Sequence, residues 1–322
     1  MFCSAIARRW RWITRRAVYI LIGMTTVAHF GGTSHHADLD GPVHWVDFGG
    51  PEDGPRVVLV HGLGGSHLNW VLLAPLLAER ARVCAVDLAG HGLTHPEGRE
   101  ATVQANARLL GRFLAEVVGE PVVLVGNSMG GMISLLHTAD DPALVTGLVL
   151  VDPALPMVLG RPDPAMLGTF FAYSVPGLGE RVVAKTRTAP ARQQVDQLLE
   201  LVCADPSGIP EDVKVASEHL IGVRADVGGL DKAFLSAARS IVSTLGKRGA
   251  YRAAMGKIRV PVFLMNGDKD RLVSVAAARA TARRHPHWRY DEFANVGHVP
   301  QLEIPDVVAE RVLGWMETNK LL

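Results

Sequence analysis

Val122-Val123-Leu124-Val125-Gly126-Asn127-Ser128-Met129-Gly130-Gly131 is the stretch that decides how the chain is to be read. Four consecutive apolar, mostly β-branched residues mark a strand buried on both faces. A helix is expected from Met129 to about Ala139, so Gly126 to Gly131 must turn a strand into a helix. Ser128 stands at the tip of that turn. In so tight a turn the central residue is held in a strained backbone conformation, and glycines two residues to either side leave room for the crossing chains. The serine hydroxyl then projects at the carboxyl edge of the sheet, beside the free N–H groups that open the helix. This is the setting of a nucleophile elbow, with Ser128 as the nucleophile.

Working outward, the same alternation extends in both directions. Val43 to Phe48, Val57 to Val60, Val83 to Leu88, Leu148 to Val151, Val260 to Met265 and Trp288 to Phe293 read as strands. Trp70 to Ala81, Val103 to Val118 and Asp306 to Met316 carry helical periodicity. Strands separated by helices of this length imply an α/β fold, a mostly parallel, doubly wound sheet with helices on both faces. The alternation breaks from Pro156 to Lys257. No buried-strand run occurs there, while Gln193 to Cys203 and Asp231 to Leu245 look helical. The expected division is an extension and linker over 1–41, an α/β core over 42–155 and 258–322, and an inserted helical cap, or lid, over 156–257. Gly31 to Gly41, rich in Gly, Ser, His and Asp, reads as the linker.

The chain has 322 residues, of which 48% are apolar and 20% charged, enough for a large core. Its net charge of +1 gives no case for a nucleic-acid partner. Charge is unevenly placed: Arg8, Arg9, Arg11, Arg15 and Arg16 put +5 into the first sixteen residues, so the remainder nets −4. An apolar run from Ala17 to Ala28 follows, shorter than the ~20 residues of a membrane span. Basic and apolar regions in this order match a signal peptide, with Thr26-Val27-Ala28 as a cleavage candidate. A membrane-surface anchor through residues 1–30 and a true start at Met24 are equally compatible with this stretch. Cytoplasmic and membrane-associated locations both stay open, as does the oligomeric state. Three widely spaced cysteines, Cys3, Cys84 and Cys203, suggest neither a disulfide framework nor a zinc site, and Cys84 is expected as a buried free thiol.

The remaining chemistry-bearing residues fall at strand ends. His61-Gly62-Leu63-Gly64-Gly65 follows Val57 to Val60. The N–H of Leu63, with that of Met129, is placed to bind an oxyanion. A phosphate loop would need a Gly-Lys-Ser/Thr ending that is absent. His61 reads as a structural hydrogen-bonder. In Gly267-Asp268-Lys269-Asp270, Asp270 sits deeper in the loop and is the preferred catalytic acid. Asp268 reads as the turn cap, and Asp152, just after Leu148 to Val151, is the alternative acid. His298, in the loop before the last helix, is the base. The order Ser128, Asp270, His298 is the one such an architecture uses. A metal site from His35, His36 and Asp38 is a weak pattern, and neither a metal nor an organic cofactor is required by this chemistry.

These residues resemble the α/β-hydrolase superfamily. The likeness runs from about Val43 to Met316 and rests on His61-Gly62, Asp87-Leu88-Ala89-Gly90-His91-Gly92, Gly126 to Gly131, Gly267 to Asp270 and Gly297-His298. It implies a lid over the active site at Pro156 to Lys257, and a structural loop at Asp87 to Gly92. Phe170, Phe171 and Tyr173 would give that lid an apolar lining. The expected function is hydrolysis of carboxylic esters of small or apolar, lipid-like acyl substrates through Ser128, His298 and Asp270. Gly-Asn-Ser-Met-Gly-Gly and Asp270-Arg271-Leu272-Val273 also resemble the C–C bond hydrolases of meta-ring-fission products, but those enzymes carry an aromatic residue after the histidine where this chain has Val299. The same triad is compatible with acyl transfer to an acceptor besides water, and the fold with a non-catalytic ligand-binding role. Serine at position 128 disfavours dehalogenases and epoxide hydrolases with an aspartate nucleophile.

Overall fold

The computed structural model describes residues 27–156, 168 and 172–322. The signal, anchor and alternative-start readings fall on the first 26 residues and lie outside those described, as do Cys3, Phe170 and Phe171. Among the described residues no helix is long and apolar enough to cross a membrane.

The eight strands are β1 (Thr33–Asp38), β2 (Pro42–Gly49), β3 (Arg56–Val60), β4 (Arg82–Val86), β5 (Val122–Asn127), β6 (Val145–Val151), β7 (Val262–Gly267) and β8 (Arg289–Phe293). They form one sheet in the order β1-β2-β4-β3-β5-β6-β7-β8. β2 runs antiparallel to both its neighbours, β1 and β4, and the remaining pairs are parallel. Alternate residues of the central strands serve opposite faces. Val58, Val60, Leu124 and Leu150 enter the core under α2 (Val103–Phe113) and α3 (Met129–Asp140). Val57, Leu59, Val125 and Val151 enter the core under α1 (Ala74–Ala78) and the C-terminal helix. Every residue of β3, β5 and β7 is buried, which is why these runs read as continuous apolar sequence.

Chain order fixes where the site must be. After β3 the chain moves to β4 on one side and then returns to β5 on the other. The carboxyl ends of β3 and β5 therefore flank a topological switch point, where neighbouring loops diverge and leave a crevice. The His61 to Gly65 loop and Ser128 are the two chain segments that leave those ends.

Between β6 and β7 the described residues form α4 (Leu178–Arg187), α5 (Ala191–Val202), α6 (Glu211–Val223), α7 (Leu230–Gly246) and α8 (Arg248–Lys257). Val195, Leu199, Val213 and Leu220 pack with Leu68, Val71, Val299 and Leu302, which ties α5 and α6 to the loops around the site. Tyr251 and Met255 of α8 instead join the core beneath the sheet. The chain closes through α9 (Val275–Arg284), α10 (Pro300–Glu303) and α11 (Pro305–Thr318).

Three expectations are corrected. Gly31 to Gly41 is no linker: Thr33–Asp38 is the edge strand, in full antiparallel register with β2. Its ladder is made by backbone groups, so the polar sequence hides it. The helix expected over Trp70 to Ala81 shrinks to Ala74–Ala78, preceded by a 3₁₀ turn at His67–Trp70, because Pro75 has no N–H to continue an earlier helix. The helix from Val103 stays α-helical only to Phe113. Its last turn widens over Leu114–Val118 and closes on Gly119, whose φ of +70° ends the helix.

Candidate active site

Ser128 has φ 56° and ψ −118°, outside the favoured regions for a residue with a side chain. Its neighbours hold it there. The Ser128 amide donates to the Val151 carbonyl at 3.1 Å, and its carbonyl accepts from Ala154 at 3.0 Å and Met132 at 3.1 Å. The glycines around it are steric requirements. A Cβ on Gly126 would fall 2.6 Å from the Gly130 carbonyl oxygen, and one on Gly130 would run into the Val60 carbonyl of β3.

The loop after β3 comes directly against this turn: a Cβ on Gly62 would lie 3.0 Å from that of Ser128. His61, fully buried, shapes the loop. Its Nδ1–H donates to the Gly62 carbonyl at 2.8 Å, and its Nε2 accepts the Leu88 amide at 3.0 Å. Burial lowers its pKa to about 4, against the opposing pull of Asp87. His61 is therefore neutral and structural, as its sequence suggested. Leu63 and Gly62 line the same cavity as Ser128.

His298 sits before α10, 3% exposed, with its amide donating to Val202 at 2.6 Å. Asn127 Nδ2 donates to both the His298 and the Val151 carbonyls at 3.0 Å, so the residue before Ser128 pins the histidine loop. His298 Nδ1 lies 2.8 Å from Asp270 Oδ2. The other Asp270 oxygen accepts the Leu272 and Val273 amides at 2.7 and 2.9 Å. The carboxylate is thereby oriented, and with Nδ1–H engaged the histidine keeps Nε2 as its free acceptor. Among the described residues no hydrogen bond joins Ser128 to His298, although both line one cavity. Such bonds commonly tighten only when substrate binds.

Asp268 accepts the Asn295 amide at 2.6 Å and so caps the turn. Asp152 is brought close to the pair but in a different state. It is fully buried with φ 44°, and one of its oxygens accepts the Gly267 amide at 2.9 Å. Its ligand atoms lie within 4.8 Å of those of Asp270 and His298. Burial first, and then the negative charge of Asp270, push its carboxyl pKa well above the ordinary range.

Glu303 carries no signal in the sequence, yet it shapes the site. Its carboxylate accepts the Gly297 amide and the Ala204 amide, both at 2.8 Å, fastening the histidine loop to the end of α5. Burial raises its pKa. Nothing in its local sequence marks this role, because both partners come from other loops.

The Asp87 loop is structural and charged. The carboxylate accepts the His67 amide at 2.7 Å and the Leu93 amide at 2.8 Å, and lies 2.7 Å from His44 Nδ1. Burial alone would raise its pKa, yet His67 and His44 hold it well below the usual range. The polar pattern His35, His36, Asp38 does not converge. His35 stacks on Trp45 with centroids 4.5 Å apart, while His36 turns toward His44 on the other face of the strand. Cys84 and Cys203 are buried and free.

Ser128, His298 and Asp270 line a cavity of about 2270 Å³ that is also lined by residues of α4 to α7. Leu199, Leu220, Phe234 and Ile241 give it apolar walls, and Tyr173 meets Phe234 edge-on with centroids 5.4 Å apart.

Known proteins share this sequence and architecture. The chain is 29% identical over 283 residues to a magnesium-chelatase 30 kDa subunit of Rhodobacter capsulatus, covering 86% of this chain and 92% of that protein. It is 29% identical over 252 residues to a pimeloyl-[acyl-carrier protein] methyl ester esterase of Aromatoleum aromaticum, covering 78% and 94%. Among solved structures, a putative lipase from Acinetobacter baumannii superposes with a TM-score of 0.72 at 23% identity over 90% of this chain and 93% of the other, a likeness of fold. The family model for the alpha/beta hydrolase family matches residues 57–311, from the start of β3 into the last helix. The chain belongs to the alpha/beta hydrolase family.

Proposed function

We propose that the chain is a serine hydrolase that cleaves carboxylic esters of small or apolar acyl groups. The observation that carries this reading is the strained Ser128 at the carboxyl edge of β5, facing the cavity shared by a histidine whose Nδ1 is engaged by Asp270. His298 Nε2 takes the Ser128 proton as Oγ attacks the ester carbonyl carbon. Asp270 fixes the tautomer and stabilises the imidazolium. The N–H groups of Leu63 and Met129 receive the oxyanion. On collapse the alkoxide leaves with the proton from His298, and an acyl-enzyme remains. Water, giving its proton to His298, attacks that ester, and the second collapse releases the acid and restores Ser128. The esterase and lipase names of the similar proteins support the bond type.

Val299 and Leu302 are buried against the cap cluster, so no aromatic ring follows His298 as in the C–C bond hydrolases. The test is turnover of p-nitrophenyl esters of graded acyl length, beside a ring-fission dienoate and an alcohol acceptor. Ser128→Ala should lower ester kcat by roughly 10⁴-fold or more and abolish labelling by a fluorophosphonate probe. Turnover of the dienoate, but of no ester, would move the reading to C–C hydrolysis. Unlabelled folded wild type would move it to a binding role.

A further inference from the structure

Six cationic side chains line the cavity against four carboxylates: Arg187, Lys214, Arg224, Arg248, Lys269 and Arg271 face Asp205, Asp231, Asp268 and Asp270. Most of this charge is neutralised or exposed. Arg187 pairs with Asp231 at 2.7 Å, and Lys269 reaches Asp268 at 3.4 Å. Asp270 is occupied by His298. Arg224 differs from the rest. It caps the C-terminus of α6, on the cap side of the cavity, and is partly buried. Among the described residues it has no carboxylate partner, and its one hydrogen bond runs from Nη2 to the Gly90 carbonyl at 2.9 Å.

A guanidinium has five donors in a fixed fork, and placing one in a partly dry wall is unfavourable unless an anion meets it. Burial indeed depresses the Arg224 pKa, Asp87 opposing and Arg187 adding to the effect. Asp87 cannot serve as the partner, since its oxygens are taken by His44, His67 and Leu93. The bond to Gly90 takes one donor of the fork, and Arg224 lines the cavity. Arg224 lines the same cavity as Ser128 and His298, and Gly90, to which it is bonded, belongs to that wall too.

We infer that Arg224 is a specificity residue that receives an anionic group, carboxylate or phosphate, carried by the substrate some bonds from its scissile ester. This rests on the ester reading above and narrows its substrate class to anionic esters with an apolar linker. The apolar walls would hold the linker, while the Arg224 fork binds the charged end by charge-assisted hydrogen bonds.

The test compares mono-p-nitrophenyl adipate with its neutral methyl ester, and with the 6-phosphonohexanoate ester to rank carboxylate against phosphate. Wild type should favour an anionic ester in kcat/KM. In Arg224→Gln the anionic-to-neutral ratio should fall about tenfold or more, chiefly through KM, as expected for one charge-assisted pair. Arg248→Gln, removing an exposed cation of the same cavity, should leave the ratio in place. An unchanged ratio in Arg224→Gln, or an equal fall in Arg248→Gln, would overturn the inference and leave Ser128 untouched. Calorimetric binding of monomethyl adipate to wild type and Arg224→Gln supplies an arm that needs no turnover. If no ester reacts, the ester reading falls, and tenfold weaker binding in the variant still sustains the anion site; equal binding removes it.

Discussion

Two carboxyl groups lie within reach of one histidine, and the proposed mechanism gives them different roles. Asp270 presents an oxygen 2.8 Å from Nδ1 and has its other oxygen held by two backbone amides, so it is aimed at the histidine. Asp152 is buried beside that carboxylate, and its pKa is raised, by burial first. Burial and a neighbouring carboxylate both disfavour ionisation of Asp152, which has one amide donor, whereas Asp270 has two amide donors and the histidine. Asp270→Asn should therefore lower kcat by roughly 10⁴-fold, because the amide can hold the wrong histidine tautomer. Asp152→Asn imitates the neutral acid and should lower kcat by less than about 10²-fold, the smallest loss typical of a removed acid or base. Reversed losses in steady-state kinetics would make Asp152 the acid. Sequence placed both residues at strand ends and ranked Asp270 first. It could not show the protonation state of Asp152, because that depends on burial created by β7 and the neighbouring loops.

At the scale of elements, legibility followed the origin of each element's stability. β3, β5, β6 and β7 were readable because burial on both faces demands uninterrupted apolar residues, each worth about 1.5–3 kcal/mol when a large side chain is fully buried. β1 was unreadable because an edge strand is held by backbone pairing on one side only, and its side chains alternate between partial and full exposure. The elbow glycines were legible as a motif, and the packing shows why they are required. Gly130 lies where α3 crosses β3, and any side chain there strikes the Val60 and His61 carbonyls. Gly130→Ala should destabilise by about 3 kcal/mol or more, at the upper end of overpacking. Gly314, in the middle of α11, is exposed and has open space where a Cβ would go. Gly314→Ala should stabilise by about 0.5–1 kcal/mol, through helix propensity alone. Urea midpoints read both. A neutral Gly130→Ala would mean that the crossing of α3 over β3 is looser than the structure has it.

For the molecule as a whole, the histidines beneath the site set its response to acid. His61 and His91 are buried, and their pKa values are lowered to about 4 and about 3, by burial first; the charge of His61 adds to the shift of His91 and Asp87 opposes both. Unfolded histidine titrates near 6.5. Between that value and the folded ones the unfolded chain binds more protons, so stability is present above about pH 6.5 and is lost as pH falls. Each histidine removes up to roughly 1.4 kcal/mol per pH unit in that window. Asp87, whose folded pKa is depressed, loses its contribution only below the unfolded carboxylate value, at more acidic pH. Asp152 has the opposite sign: its raised pKa gives stability at low pH that is lost as pH rises, so it cannot cause acid unfolding. Set against a total stability of about 5–15 kcal/mol, two such histidines are enough to unfold a chain at the low end of that range by about pH 4–5. His91 offers the cleaner test, since its Nδ1–H donates to the Ala89 carbonyl while its Nε2 is buried without a partner. His91→Gln can keep a donor for Ala89 and cannot be protonated. Its urea midpoint should therefore fall less steeply than that of wild type between about pH 6 and pH 4, by up to about 1.4 kcal/mol per pH unit once converted to free energy. Parallel pH profiles for the two proteins would show that His91 does not titrate on unfolding, and acid sensitivity would then have to be sought among His29, His36 and His61.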